Sequence, residues 1–242
     1  MKLKILITGL VLSHLCFAQN GNPVRGNQQW VQYYGQGELN EMWSLSLDGG
    51  FRWKNELEDK SQYIVRTAVI HSLKSGVKLG AGFAHLGFYG LDELNQREYR
   101  PYQEIGYSHK IQSVKIYHRM RLEQRFFDTF GIVYNQFPPN KFALRWRYSL
   151  MANMDLFRLS GKARVSLTIG DEIFLNLDSQ RDLDFFDQNR LIISPTLHLN
   201  ENLSFSFTWN RQASYPKVAD KHQYNSVAWV QIKHSFNLGS AQ

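Results

Sequence analysis

Apolar and polar residues alternate one by one along most of this 242-residue chain. The densest example is 114–126, Val-Lys-Ile-Tyr-His-Arg-Met-Arg-Leu-Glu-Gln-Arg-Phe. Val114, Ile116, Met120, Leu122 and Phe126 fall on alternate positions, with His118 and Gln124 as exceptions. Lys115, Tyr117, Arg119, Arg121, Glu123 and Arg125 lie between them. Successive side chains on a strand point to opposite faces, so the segment reads as a strand with one apolar and one densely charged face. It is too long and too polar for an ordinary core strand. It fits a strand with lipid on one side and a polar lumen on the other.

The same period recurs through the chain. At 43–53, Trp43, Leu45, Leu47, Phe51 and Trp53 oppose Ser44, Ser46, Asp48 and Arg52. At 77–89, Val77, Leu79, Ala81 and Phe83 oppose Lys78, Gly80, Gly82 and Ala84. At 142–150, Phe142, Leu144, Trp146, Tyr148 and Leu150 oppose Arg145, Arg147 and Ser149. Further strands are expected at 163–170, 190–199, 203–212 and 224–238, with weaker patterns at 29–38, 62–73 and 98–109. No window sustains a helical period.

Short turns are expected near Asn40, Ser75, Gln112 and Asn200, and longer links at 54–61, 90–97, 128–139, 177–187 and 213–222. Alternating short and long connections match the short periplasmic turns and longer outer loops of membrane barrels. A further long link, 151–161, interrupts that alternation. The expected fold is therefore all-β: a transmembrane antiparallel up-and-down β-barrel of about twelve strands, with ten as the alternative. Eleven segments are visible; bacterial single-chain barrels have even counts, which places an extra short strand before Trp30. A soluble lipocalin-like barrel has the same period with its faces reversed. Strand length beyond the roughly 9–11 residues needed to span a bilayer favours the membrane. So do aromatics near strand ends, namely Trp43, Trp53, Tyr89, Trp146, Tyr148, Trp209 and Trp229, read as an interfacial girdle.

The first residues read as an export signal. Lys2 and Lys4 precede an apolar stretch, Ile5 to Leu15, and Cys16-Phe17-Ala18 offers a small residue for cleavage after Ala18. Residues 1–18 are thus the expected signal peptide and 19–242 the barrel domain, located in the outer membrane of a Gram-negative bacterium after Sec-type export. Cleavage removes Cys16, the one cysteine, and with it any disulfide or thiolate chemistry. It also lowers the formal charge from +7 by the two lysines, to +5. The basic residues are spread through strands, and no basic patch with a nucleic-acid-binding motif is present.

The chain resembles the domain-of-unknown-function family 2490, predicted outer-membrane β-barrels of Gram-negative bacteria. The residues that carry the resemblance are Trp30, Met42 to Leu47 followed by Arg52, and His118 to Arg125. Leu144 to Tyr148, Asp171 to Asn176 and Phe186 to Arg190 complete it. The resemblance implies fold and location; the family carries no established activity.

Three constellations are candidates for chemistry. The first is a ladder on the predicted lumen face: Lys115, Arg119, Arg121, Glu123, Arg125, Arg145, Arg147, Arg164, Glu172 and Arg190. Arg and Lys rings select anions in pores. Arginine–carboxylate networks also simply fill narrow barrels, with Asp48, Glu104, Glu123 and Glu172 as counter-charges. The second is lipid hydrolysis by a serine–histidine pair. His71-Ser72, Ser108-His109 and His234-Ser235 are adjacent, so each pair points to opposite faces, and only a cross-strand pair would serve. The third is the outer loops, with Phe137-Pro138-Pro139, Asp178 to Asp187 and Tyr215-Pro216-Lys217. No metal-ligand spacing is evident, and no cofactor is expected.

The functional expectation is an outer-membrane barrel that is structural or a narrow, porin-like, anion-preferring channel. A barrel-type lipid hydrolase and a soluble periplasmic ligand-binding barrel are the alternatives. The expected partners are outer-membrane lipid, the barrel-assembly machinery and small anionic solutes, for a monomer that binds no nucleic acid.

Overall fold

The two-residue period becomes eleven β-strands in the computed structural model, which describes residues 23–130, 142–177, 185–214 and 222–239. The segment expected to be a signal peptide lies outside the described residues, as do the loop segments around 137–139, 178–184 and 215–217. The strands are β1 (Val24–Glu38), β2 (Trp43–Lys54), β3 (Asp59–Ser72), β4 (Val77–Gly90), β5 (Glu93–Ile111) and β6 (Val114–Thr129). They continue as β7 (Phe142–Arg158), β8 (Arg164–Asn176), β9 (Phe186–His198), β10 (Leu203–Ser214) and β11 (Gln223–Asn237). Consecutive strands pair antiparallel, and β1 closes on β11 to complete the barrel.

The expectation of about twelve strands is met by eleven. The odd count has a geometric consequence. In an up-and-down chain the first and eleventh strands run the same way, so β1 and β11 pair in parallel, from Val24↔Gln223 to Glu38↔Asn237. β1 begins six residues before Trp30 and so takes up the segment where a separate strand was expected. Closure pairs every strand on both sides, which leaves no exposed row of backbone donors and acceptors.

Two link expectations are corrected. The 54–61 and 90–97 segments are mostly strand, leaving connections of only 55–58 and 91–92. Leu91 and Asp92 both have positive φ (53° and 64°), the backbone of a two-residue type I′ hairpin turn. Asn-Gly is the usual signature of that turn; Leu-Asp hides it. The 151–161 link is also corrected, because β7 runs on to Arg158 through an irregularity between Asp155 and Phe157.

The faces are as the alternation predicts. Leu45, Leu47, Val65, Leu79, Phe83, Met120, Phe142, Phe205, Phe207 and Val230 are exposed on the outer wall. The interior is mostly polar and charged, with one apolar patch of Ile64, Ala68, Ala84, Leu86 and Tyr102 on β3 to β5. These faces are the reverse of a soluble lipocalin-like barrel, which keeps its polar face outside. Small residues on the inner row of β4 make room for neighbours. A Cβ on Gly82 would lie 2.5 Å from both the Thr67 carbonyl and the Tyr102 ring, and one on Gly80 would press on Glu104.

Candidate functional site

The register of β5 to β9 builds an ion-pair network across the inside of the barrel. Alternation puts Arg119, Arg121, Glu123 and Arg125 on the inner face of β6. Register then places Arg121 beside Glu104 of β5 and Arg147 of β7, and Glu123 beside Arg145. Glu123 is the centre. Its Oε2 accepts from Arg145 Nη2 at 2.6 Å and Nε at 2.8 Å, and its Oε1 accepts from Arg147 Nη1 at 2.7 Å. Arg100 and Arg121 stand at 3.6 and 3.9 Å from the same Oε1. Arg147 then bridges to Glu172, which also holds Arg119 at 2.8 Å and faces Arg190 at 3.7 Å.

Side branches extend the network. Glu98 accepts from Arg100 and Arg125, each at 2.7 Å. Glu104 accepts from Arg121 at 2.6 Å, and Arg145 reaches Asp187 at 2.9 Å. Asp48 takes both Arg66 and Gln32. Guanidiniums also lie over rings: Arg121 over Tyr102, Arg147 over Phe174 and Arg52 over Trp30. Shared, charge-assisted bonds of this kind offset the cost of taking ions out of water.

Among the described residues the central layer holds nine arginines (52, 66, 100, 119, 121, 125, 145, 147 and 190) and six carboxylates (Asp48, Glu98, Glu104, Glu123, Glu172 and Asp187). Positive charge is in excess by three. Lys54 and Lys233, which line the larger cavity, add to it.

Two cavities lie beside the network among the described residues. One, of about 590 Å³, is bounded by Trp30, Arg52, Arg119, Arg125, Arg145, Arg147, Glu172 and Arg190, with Gln32, Thr208, Asn225 and Gln231 on its amide and hydroxyl wall. The other, of about 460 Å³, lies toward the 199–202 turn and is lined by Ser46, Asp48, Arg164, His198 and Ser204. Tyr34, Asp48's neighbour across the β1–β2 pair, and Lys233 line both cavities.

The ladder residues therefore separate into groups. Arg119, Arg125, Arg145, Arg147, Glu172 and Arg190 line the larger cavity, and Arg164 lines the second. Arg121 and Glu123 are buried within the network. Lys115 lies near the start of β6 against the Tyr117 ring, away from both cavities. Arg66, Arg100 and Glu98 went unread in the sequence. The alternation of β5 is masked by Pro101 and Gly106, although Glu98, Arg100 and Glu104 do sit on alternate positions. Trp229 is corrected from the girdle to the lumen, where its ring packs edge-on to Trp30 at 5.2 Å.

The Asp171 to Asn176 and Phe186 to Arg190 segments are strand partners. Glu172 pairs with Arg190 and Ile173 with Asn189 across β8 and β9. Glu172 faces inward, while Asp171 on the opposite face accepts from the Asn189 amide. A cross-strand serine–histidine pair also exists: Ser166 Oγ lies 3.0 Å from His198 Nε2. Ser166 is fully buried and lines neither cavity.

The model of the family described as "Protein of unknown function (DUF2490)" matches residues 27–223, from the first strand to the start of the last. No curated protein matches the chain.

Proposed function

We propose, from the premise that this chain belongs to the family described as Protein of unknown function (DUF2490), that it is an outer-membrane barrel forming a narrow, anion-preferring passage. The observation that carries the reading is the inverted distribution of side chains: an apolar outer wall around a lumen of paired charges with arginine in excess. An apolar wall of this extent is costly in water and favourable in lipid. Strands of 12 to 19 residues exceed what a tilted bilayer crossing needs.

The network serves as the framework of the passage. Arg–Glu pairs brace β5 to β9 from inside, and the cavities run beside them. Surplus guanidiniums give the lumen a positive potential, which raises the local concentration of small anions and repels cations. Insertion would use the barrel-assembly machinery, and lipid would cover the outer wall.

The hydrolase alternative rests on Ser166 and His198. A nucleophile must be reachable by its substrate, and Ser166 Oγ is enclosed and also receives Asn153 Nδ2 at 3.3 Å. The passage is the better-supported reading.

Conductance of the refolded mature protein in a planar bilayer tests it. Under a salt gradient, the reversal potential should have the sign of anion preference. Absence of current from a folded, heat-modifiable barrel would leave the network as an internal brace and remove the passage.

A further inference from the structure

Seven of the nine central arginines have a carboxylate oxygen within hydrogen-bond distance. Among the described residues Arg52 and Arg190 do not. Among the described residues Arg52 has no carboxylate partner; its Nη1 donates instead to the neutral amide of Gln62 at 2.6 Å. Arg190 donates to the amide of Gln188 at 3.2 Å. Its nearest acid, Glu172 at 3.7 Å, is already shared by Arg119 and Arg147.

These two cations come from distant strands, β2 and β9, yet converge on one ring. The Arg52 guanidinium lies 3.9 Å from the Trp30 ring centroid, and that of Arg190 lies between this ring, at 5.3 Å, and the Phe174 ring, at 4.6 Å. Both line the larger cavity, as does Trp30. Each has a buried Nε with no hydrogen-bond partner.

We propose that Arg52 and Arg190 form an oxyanion-binding subsite in the lumen, with Trp30 as its platform. An indole face holds a guanidinium flat by cation–π attraction and leaves its edge donors free. A planar fork of N–H groups matches the oxygen spacing of phosphate and carboxylate groups. Two such forks around one ring, held by neutral amides, lack the counter-charge that every other arginine of the layer has. A bound oxyanion supplies it. Gln62 and Gln188 position the forks without neutralising them. The ligand is a free solute, since the subsite opens on the polar lumen and the apolar wall lies on the opposite face. The proposal rests on the anion-preferring reading of the lumen and names where along it an anion stops.

Isothermal titration of the refolded mature protein with inorganic phosphate, in a fixed chloride background, is the test. The expected result is one saturable site. Arg52→Gln and Arg190→Gln should each weaken it about tenfold or more, the loss of a hydrogen bond to a charged group. Lys162→Gln removes the same charge from an exposed turn and should leave it unchanged. If a glutamine variant does not fold, Arg52→Lys and Arg190→Lys keep the charge, lose the fork and should still weaken binding. No saturable binding to the wild type, or binding indifferent to both arginines, overturns the subsite. Phosphate binding by a barrel that carries no current keeps the subsite and removes the passage. Anion-selective current without phosphate binding does the reverse.

Discussion

Arg145 places two donors on one oxygen of Glu123, Nη2 at 2.6 Å and Nε at 2.8 Å, and both residues are buried inside the barrel. Arg147 takes the other oxygen. One carboxylate therefore holds two strand-neighbour guanidiniums together that would otherwise repel. Glu123→Gln keeps the shape and removes the charge, leaving Arg145 with Asp187 alone and Arg147 with the already shared Glu172. Removing one partner of a buried pair costs about 3–5 kcal/mol. Urea unfolding in lipid vesicles should show a loss of that order, and an unchanged midpoint would mean that the network contributes nothing to stability.

Gly82 offers a separate probe of packing. A side chain there meets the Thr67 carbonyl and the Tyr102 ring, which itself carries Arg121. Gly82→Val is expected to cost about 1–3 kcal/mol through overpacking. Gly106→Ala has no neighbour closer than 3.8 Å and should stay within about 0.5 kcal/mol of wild type. The comparison of unfolding midpoints separates steric conflict from a general intolerance of change on the sheet.

The outer wall gives a test of environment. Val65 is exposed in the middle of β3. Arginine on a lipid-facing position near the bilayer midplane costs about 2–4 kcal/mol. On a soluble surface it would change stability by less than about 0.5 kcal/mol. Val65→Arg should therefore be strongly destabilising in vesicles, and a neutral effect there would argue that this face is not in lipid.

Topology makes a prediction of its own. The 91–92 turn and the 199–202 turn lie at opposite ends of the barrel, since an odd number of strand crossings separates them. Leu91 and Glu201 are both well exposed. If the expected cleavage after Ala18 removes Cys16, Leu91→Cys and Glu201→Cys each create a single thiol. A membrane-impermeant maleimide on intact cells should label the first and reach the second only after the outer membrane is permeabilised. Equal labelling of both would overturn the assignment of sides.

The alternating pattern by itself determined that the chain is all-β and which side chains share a face of each strand, because a period of two puts successive side chains on opposite faces. It also exposed most of the arginine ladder, since charged residues recur at every second position from Arg119 to Arg125 and at Arg145 and Arg147. What tertiary structure alone decided was partnership. Register brings Glu123 to Arg145 and Glu172 to Arg190, and no local spacing encodes register between strands. The parallel β1–β11 seam and the Leu91-Asp92 turn were likewise hidden, one a property of the whole circuit and the other lacking the usual turn residues. Trp229 looked like a girdle residue from its place near a strand start, yet its inward parity sets it against Trp30. The meeting of Arg52 and Arg190 over that same ring depends on curvature: only a closed barrel brings β2 and β9 to one point, and linear sequence holds no measure of that distance.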